Sequence, residues 1–290
     1  MVDLETIYGI EYQKPQVVLL QETGIGVAEI AARTCYDSFD NSENQCVTDF
    51  NDLCDFDGEW QGAMSDKLEE VNDIEHSDLL DNLAWTHFHH SILEHSNLSF
   101  LIKGTSRGVL QEHARHRIQA ISVRSTRYTM SGIINAFIAS LSAEKSMEWF
   151  VQKLLSFDMF VTTDEYYNTL EIETIYRKLS FQNREVDHAG GDFLKLCIAK
   201  SSLDYANSTE SADIKFHLFQ TGKKKRNVGD AFKHVVTDNW KVDLIVTFNL
   251  RSLKNYFTLR DSGAAYFQIV WLAKAMKDVT PSKYLDLIIK

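Results

Sequence analysis

Residues 114–128 read ARHRIQAISVRSTRY. Four arginines, one histidine and two serines fall between Arg115 and Tyr128, in a 290-residue chain whose net charge is −11. Arginine's planar fork matches phosphate oxygens or a pyrimidine carbonyl, and it does not lose its charge. A basic cluster is often no more than a solvated face. This one sits where a strand-then-helix segment, Ser96 to His113, runs into an alternating stretch, an arrangement suited to holding anions. Strand Asn97–Lys103 precedes it, and Ser106 is placed to cap a helix over Arg107–Arg117. A second strand is predicted over Ile121–Tyr128. On it Ser125 and Arg127 share one face and Arg124 and Thr126 the other, so the two faces reach different neighbours, as at a subunit boundary.

Upstream, Pro15–Gln21 (PQVVLLQ) reads as a strand and Val27–Tyr36 as a helix. Gly24-Ile25-Gly26 between them resembles the start of a dinucleotide-binding loop, but Glu29 stands where that pattern needs Gly or Ala. Asp37–Gly62 is polar and acidic without a sustained period, which predicts a surface loop or insertion. It lacks the order of oxygen ligands of a calcium loop. Asp66–Phe88 returns to helical spacing. His87-Phe88-His89-His90-Ser91-Ile92-Leu93-Glu94-His95 follows; it has no HExxH pattern, and polar groups lining a cofactor pocket are expected there rather than a metal.

Downstream, Ala143–Lys178 is helical in period, with an aromatic stripe that predicts core. Gly190-Gly191-Asp192-Phe193 and Lys223-Lys224-Lys225-Arg226 are too short or wrongly spaced to be nucleotide motifs. Val242–Phe248 (VDLIVTF) is a strand, followed by helices Leu250–Leu259 and Ala264–Met276. Asn249, Arg251, Asn255 and Arg260 gather at that strand–helix boundary, with Arg251 and Asn255 on one helical face.

A net acidic chain is a poor general binder of nucleic acid or anionic membrane, so a local basic site points to a small anionic ligand. No apolar run approaches the ~20 residues of a membrane helix, and the N-terminal MVDLETIYGIEYQK has no secretory pattern. A cytoplasmic protein is expected. The cysteines, Cys35, Cys46, Cys54 and Cys197, form no CxxC pair and are expected as free thiols.

Arg115-His116-Arg117, followed after seven residues by Ser125 and then Arg127-Tyr128, resembles the RHRx7S signature of the flavin-dependent thymidylate synthases. His89-x-Ser91-x-x-Glu94-His95 is similar to their histidine–glutamate segment, and Ala31–Tyr36 to the end of their first helix. Asn249-x-Arg251-Ser252-Leu253-x-Asn255 with Arg260 resembles their C-terminal block. The resemblance implies one thymidylate synthase-complementing domain over residues 1–290, with insertions near 37–62 and within 141–227. Its fold is α/β (α+β), a largely antiparallel sheet flanked by helices, in a homotetramer with shared active sites. It implies FAD as cofactor, dUMP as substrate, methylenetetrahydrofolate as carbon donor and NADPH as reductant, with dTMP as product. A divergent member that hydroxymethylates C5, or a flavin- and nucleotide-binding homologue without turnover, are the alternatives.

Position by position, the resemblance implies that Arg115, His116 and Arg117 hold the flavin, with Cys35, His89, Ser91, Glu94, Asn249, Arg251 and Asn255 completing its pocket. Ser125 and Arg127, with the backbone amides of Arg124 and Thr126, are implied to bind the nucleotide phosphate, and Glu112, Arg115 and Lys233 are implied to join them in binding the substrate. Arg260 is implied to face the uracil as the catalytic residue. No metal is implied. Glu112 stands where the family commonly has Gln, and an anion there is expected to be offset by Arg124. Asp230 and Lys233 replace Glu and Arg, and Asp261–Gln268 lacks the family's His and its Ala-Gln-x-Glu run.

Overall fold

The computed structural model describes residues 3–54, 60–142, 146–188, 217–219, 225–227 and 232–290. The first half of the chain holds β1 (Leu4–Ile7), β2 (Ile10–Gln13), β3 (Gln16–Glu22), α1 (Gly26–Tyr36), α2 (Gln45–Cys54), α3 (Trp60–Asn72), α4 (Asp78–Trp85), β4 (Asn97–Ser106), α5 (Arg107–His113), β5 (Ala120–Val123) and α6 (Thr126–Ser142). Then come α7 (Met147–Leu155), α8 (Glu165–His188), β6 (His217–Phe219), β7 (Lys225–Asn227), β8 (Lys241–Asn249), α9 (Leu250–Arg260), α10 (Phe267–Asp278) and α11 (Ser282–Ile288). They fall into two compact units. The first comprises Met1–Gln13, Ser106–Gly108 and Arg124–Val242; the second comprises Lys14–Thr105, Val109–Val123 and Asp243–Lys290.

The second unit is built on a four-stranded sheet of order β3-β4-β8-β5, with β3 antiparallel to β4 and β5 antiparallel to β8. Alternation along β4 and β8 buries Leu98, Phe100, Ile102, Leu244, Val246 and Phe248 on one face. Helix α9 contributes Leu253, Tyr256 and Phe257 to the core, and α10 contributes Ile269, Leu272 and Met276. The other face stays open. Val18, cross-strand partner of Leu101, is 54% exposed, and Ile245, partner of Ser122, is 44% exposed. There Ser99 Oγ and Thr247 Oγ1 bond to each other at 2.8 Å.

Gly24 and Gly26 serve packing. A Cβ on Gly24 would lie 2.5 Å from the Asn72 backbone, and one on Gly26 2.3 Å from the Val71 carbonyl oxygen. Only glycine lets α1 approach the end of α3 so closely. Among the described residues, the acidic segment Asp37–Gly62, expected as a surface loop or insertion, is largely helical and not a loop, through α2 and the start of α3. It is tied down by polar groups. The fully buried Glu29 carboxylate accepts Ser42 Oγ at 2.6 Å, Asn44 Nδ2 at 2.8 Å and Arg33 Nε at 3.4 Å. The helix expected over Asp66–Phe88 breaks after Asn72 and restarts at Asp78, where Ser77 Oγ accepts the Leu80 amide at 3.4 Å as an N-cap.

In the first unit the aromatic stripe is core in part. Phe137, Phe150 and Tyr176 form a cluster with centroids 5.2–6.3 Å apart, whereas Tyr166 is 74% exposed. The helical run expected over Ala143–Lys178 is interrupted between α7 and α8. There Phe160 bridges to Trp240 and Thr162 to Tyr12, and Asp164 Oδ1 accepts the Tyr167 amide at 2.7 Å to start α8. The expected strand Ile121–Tyr128 is a correction of larger consequence. Strand pairing ends at Val123 with Leu244, and Thr126 opens a helix. Buried Met130, Ile133, Ile134, Phe137 and Ile138 recur at three- and four-residue spacing, which is helical and not alternating. Ser125 and Arg127 therefore do not share a strand face.

Cys35 and Cys46 are free thiols. The side chain of Cys54, Cys197, the segment 190–193, Lys223, Lys224 and Asp230 lie outside the described residues.

Candidate active site

Helix α5 ends at His113, four residues short of the expected Arg117, and the turn that follows shapes the site. Ala114 N still donates to Leu110 O, but Arg115 N and His116 N turn back to Glu112 O and His113 O, tightening the last turn. The Gln119 amide then donates to both the His113 and His116 carbonyls, at 3.0 and 2.7 Å. One side chain thus adds a second donor to the His113 carbonyl, which already accepts the His116 amide, and ties it to the His116 carbonyl beyond the helix end. The opposite wall is α9. Asn249 Oδ1 accepts the Ser252 amide at 2.8 Å, so Asn249 is the N-cap of that helix.

Arg260, at the last position of α9, is held from three directions. Its Nε donates to His116 Nε2 at 2.8 Å, Nη1 to Glu112 Oε2 at 2.8 Å, and Nη2 to the Glu112 carbonyl at 3.1 Å. A guanidinium only donates, so His116 Nε2 carries a lone pair and the neutral ring keeps its proton on Nδ1. Burial, then the Arg260 and Arg115 charges, push the His116 pKa down to about 4 against the pull of Glu112. His116 is therefore a neutral acceptor at pH 7, packed edge-on to Tyr256 with centroids 4.8 Å apart. Beneath it His113 is fully buried, its Nδ1 bonded to Tyr256 Oη at 3.1 Å, and burial lowers its pKa to about 4 as well. His113 Nε2 and Gln119 Oε1 are buried with no partner.

Arg115, His116 and Arg117 line one cleft of about 980 Å³ with Arg251, Asn255 and Arg260. Two carboxylates attend it. Glu112 bridges Arg260 and, at 3.5 Å, Arg115, while Glu94 Oε1 accepts Arg251 Nη1 at 2.6 Å. Arg260 and Arg115 thus answer the Glu112 charge. The cleft also contains Ser252, Lys254, Thr258, Ile118 and Leu259, which sequence reasoning did not select. Helical spacing was the available signal, because 251, 254, 255 and 258 fall on one face.

The remaining expected residues lie elsewhere or do other work. His89 Nδ1 bonds Tyr36 Oη at 3.0 Å and His90 Nε2 bonds the Ala84 carbonyl at 3.0 Å; of the histidine run only His90 reaches the cleft. Ser91 and Cys35 are exposed, and neither lines the cleft. Among the described residues the one grouping with metal-ligand proximity is Glu43, His76 and Asp78, all exposed, and it includes none of the run's histidines. Arg124, Ser125, Thr126 and Lys233 belong to the first unit. There Arg124 lines a smaller pocket of about 360 Å³ with Trp240 and Lys241, and Lys233 is exposed in the 3-10 turn Lys233–Val235. The side chain of Arg127 lies outside the described residues.

Residues 18–282 match the family described as thymidylate synthase complementing protein. The chain is 27% identical over 269 residues to the flavin-dependent thymidylate synthase of Campylobacter jejuni, covering 93% of each. It is 26% identical over 273 residues to that of Helicobacter pylori, covering 93% of this chain and 95% of the relative. In fold it resembles the crystal structure of thymidylate synthase X from Helicobacter pylori with FAD and dUMP, with a TM-score of 0.53 at 23% identity over 95% of this chain and 97% of that one.

Proposed function

The chain belongs to the thymidylate synthase complementing protein family, and from that membership we propose that it is a flavin-dependent thymidylate synthase, converting dUMP to dTMP. The carrying observation is the cleft that joins the Arg115-His116-Arg117 turn to the polar face of α9, with Arg260 fixed between His116 and Glu112. Bound in this cleft, FAD once reduced by NADPH would supply the hydride, and methylenetetrahydrofolate would donate the carbon.

The residues present suit a flavin and a nucleotide. Arg115, Arg117, Arg251 and Lys254 offer donors for phosphate oxygens, and Ser252 and Asn255 suit carbonyls. Ile118 and Leu259, 67% and 52% exposed, give a planar ring an apolar surface. The volume lies within the ~300–1,000 Å³ typical of ligand pockets. Arg260 holds a fixed positive charge where the uracil ring becomes anionic, which favours attack from C5 and needs no protein nucleophile. Its rigidity matters because donors that do not reorganise stabilise developing charge best. Ser125, with Arg124, Thr126, Arg127 and Lys233, is the set that family resemblance implies for a nucleotide phosphate.

The chain is one family domain over residues 1–290, and the family match running through both compact units supports this. Self-association as a homotetramer is supported by the open sheet face, where Val18 and Ile245 are exposed apolar side chains that a second copy would bury. No described helix is long and apolar enough to cross a membrane.

The test is direct. Protein incubated with dUMP, methylenetetrahydrofolate and NADPH is expected to show flavin absorption and to release a product heavier than dUMP by one methylene. A product carrying a hydroxymethyl group, or flavin colour with no product, would replace thymidylate synthesis by one of the two alternatives.

A further inference from the structure

The cations of the cleft differ in what they already hold. Arg115 and Arg260 share Glu112, and Arg251 holds Glu94. Lys254 has no carboxylate among the described residues. Its ammonium lies 3.8 Å from the centroid of the Trp85 ring and 3.4 Å from His90 Nε2. That nitrogen already donates to the Ala84 carbonyl, so it has no lone pair to offer a lysine. Trp85 is fixed in turn, its Nε1 donating to the Asp286 carbonyl at 2.8 Å. A second ammonium, Lys290 Nζ, lies 4.8 Å from the centroid of the same ring.

Two cations on one indole gain from its π face and lose by their mutual repulsion. Burial first, and Lys290 second, hold the Lys254 pKa below the ordinary lysine range. A half-buried ammonium with no counter-charge is unfavourable in the free protein and becomes favourable when an anion arrives. Lys254 is on the cleft wall, three residues from Arg251 on the same face of α9, so an anion in the cleft has access to it.

We propose that Lys254, seated on Trp85, is a phosphate-binding point of this cleft, distinct from the Glu112–Arg260 contact. Its natural occupant is a phosphate group of a bound nucleotide, either the diphosphate bridge of the cofactor or the monoester of the substrate. Naming those two sources rests on the function proposed above; the anion subsite itself does not.

Inorganic pyrophosphate separates the two. Titrated calorimetrically at fixed ionic strength into the full chain, Lys254→Gln and Lys254→Arg, it is expected to bind Lys254→Gln about tenfold more weakly. Lys254→Arg is expected to retain most of the affinity, and it guards against a folding defect in the glutamine variant, as does an unchanged far-ultraviolet dichroism spectrum. Equal affinity in Lys254→Gln and the parent, or no pyrophosphate binding by the parent, overturns the subsite. FAD and dUMP are then titrated into the same proteins. A loss for either in Lys254→Gln supports the subsite and names its occupant, and unchanged affinity for both overturns its assignment to a nucleotide. A parent that takes pyrophosphate through Lys254 yet binds neither FAD nor dUMP leaves the subsite standing and removes the thymidylate reading.

Discussion

Two arginines of α9, nine residues apart, each meet a glutamate, and the two pairs are not equivalent. Arg260 and Glu112 are 14% and 33% exposed, and Arg260 also grips His116 and a backbone carbonyl. Arg251 and Glu94 are 55% and 44% exposed, joined by a single 2.6 Å contact. Exposed ion pairs are screened and contribute little, whereas breaking a desolvated, multiply bonded pair strands a charge. The first pair fixes in place the cation proposed to be catalytic. The second is loose enough for Arg251 to exchange its partner for a ligand.

The largest expected effect comes from removing the fixed cation. Arg260→Ala is expected to lower turnover by roughly 100–1,000-fold, the scale seen for one preorganised charge-stabilising group. Flavin affinity should move far less. A steady-state assay paired with flavin titration checks this, and a turnover loss no larger than that of Arg251→Ala would erase the distinction between the pairs.

The second test is pH. His113 and His116 both have pKa values pushed down to about 4 in the fold, chiefly by burial. The unfolded chain takes up their protons first on acidification. Their contribution to stability is thus full above about pH 6.5 and is lost as the pH falls toward 4. For the fully buried His113 this amounts to roughly 3 kcal/mol. Urea unfolding midpoints between pH 7 and 4.5 are expected to fall. The same series on His113→Gln should be flatter, and an identical slope would mean that other groups carry the acid sensitivity.

Glu112→Ala is expected to cost about 2–3 kcal/mol in stability, since it leaves a mostly buried guanidinium short of its carboxylate. Glu112→Gln, which keeps an acceptor oxygen, should cost less. The smallest effect belongs to the open pair. Glu94→Gln is expected to change stability by no more than ~0.5–1 kcal/mol and to lose even that in high salt. Urea melts at two ionic strengths would reveal a larger, salt-resistant contribution if the contrast is misjudged.

How much of this was visible beforehand follows the physics of each segment. Strands β3, β4 and β8 and helices α1 and α9 were legible, because one-sided burial imprints a period on the sequence. The meeting of the Arg115-His116-Arg117 turn with Arg251, Asn255 and Arg260 was legible through resemblance, since 144 residues separate His116 from Arg260. The shape of the turn was not. The expected helix through Arg117 and strand through Tyr128 gave way to side-chain bonds from Gln119 and to the apolar spacing of Met130 to Phe137. The acidic stretch looked unstructured because its anchor, the buried Glu29 carboxylate, lies outside it in sequence. Lys254 went unmarked because its neighbours, Trp85 and Lys290, arrive from distant parts of the chain.

Gln119 bears on attempts to move this site. One primary amide spans two main-chain oxygens three residues apart, at one of the seven positions that the RHRx7S signature leaves open. A library or graft that preserves Arg115, His116, Arg117 and Ser125 while varying position 119 would keep every hallmark a pattern search looks for. Without the amide, the peptide path between them would relax, and the engineered loop would be correctly spelled and wrongly folded.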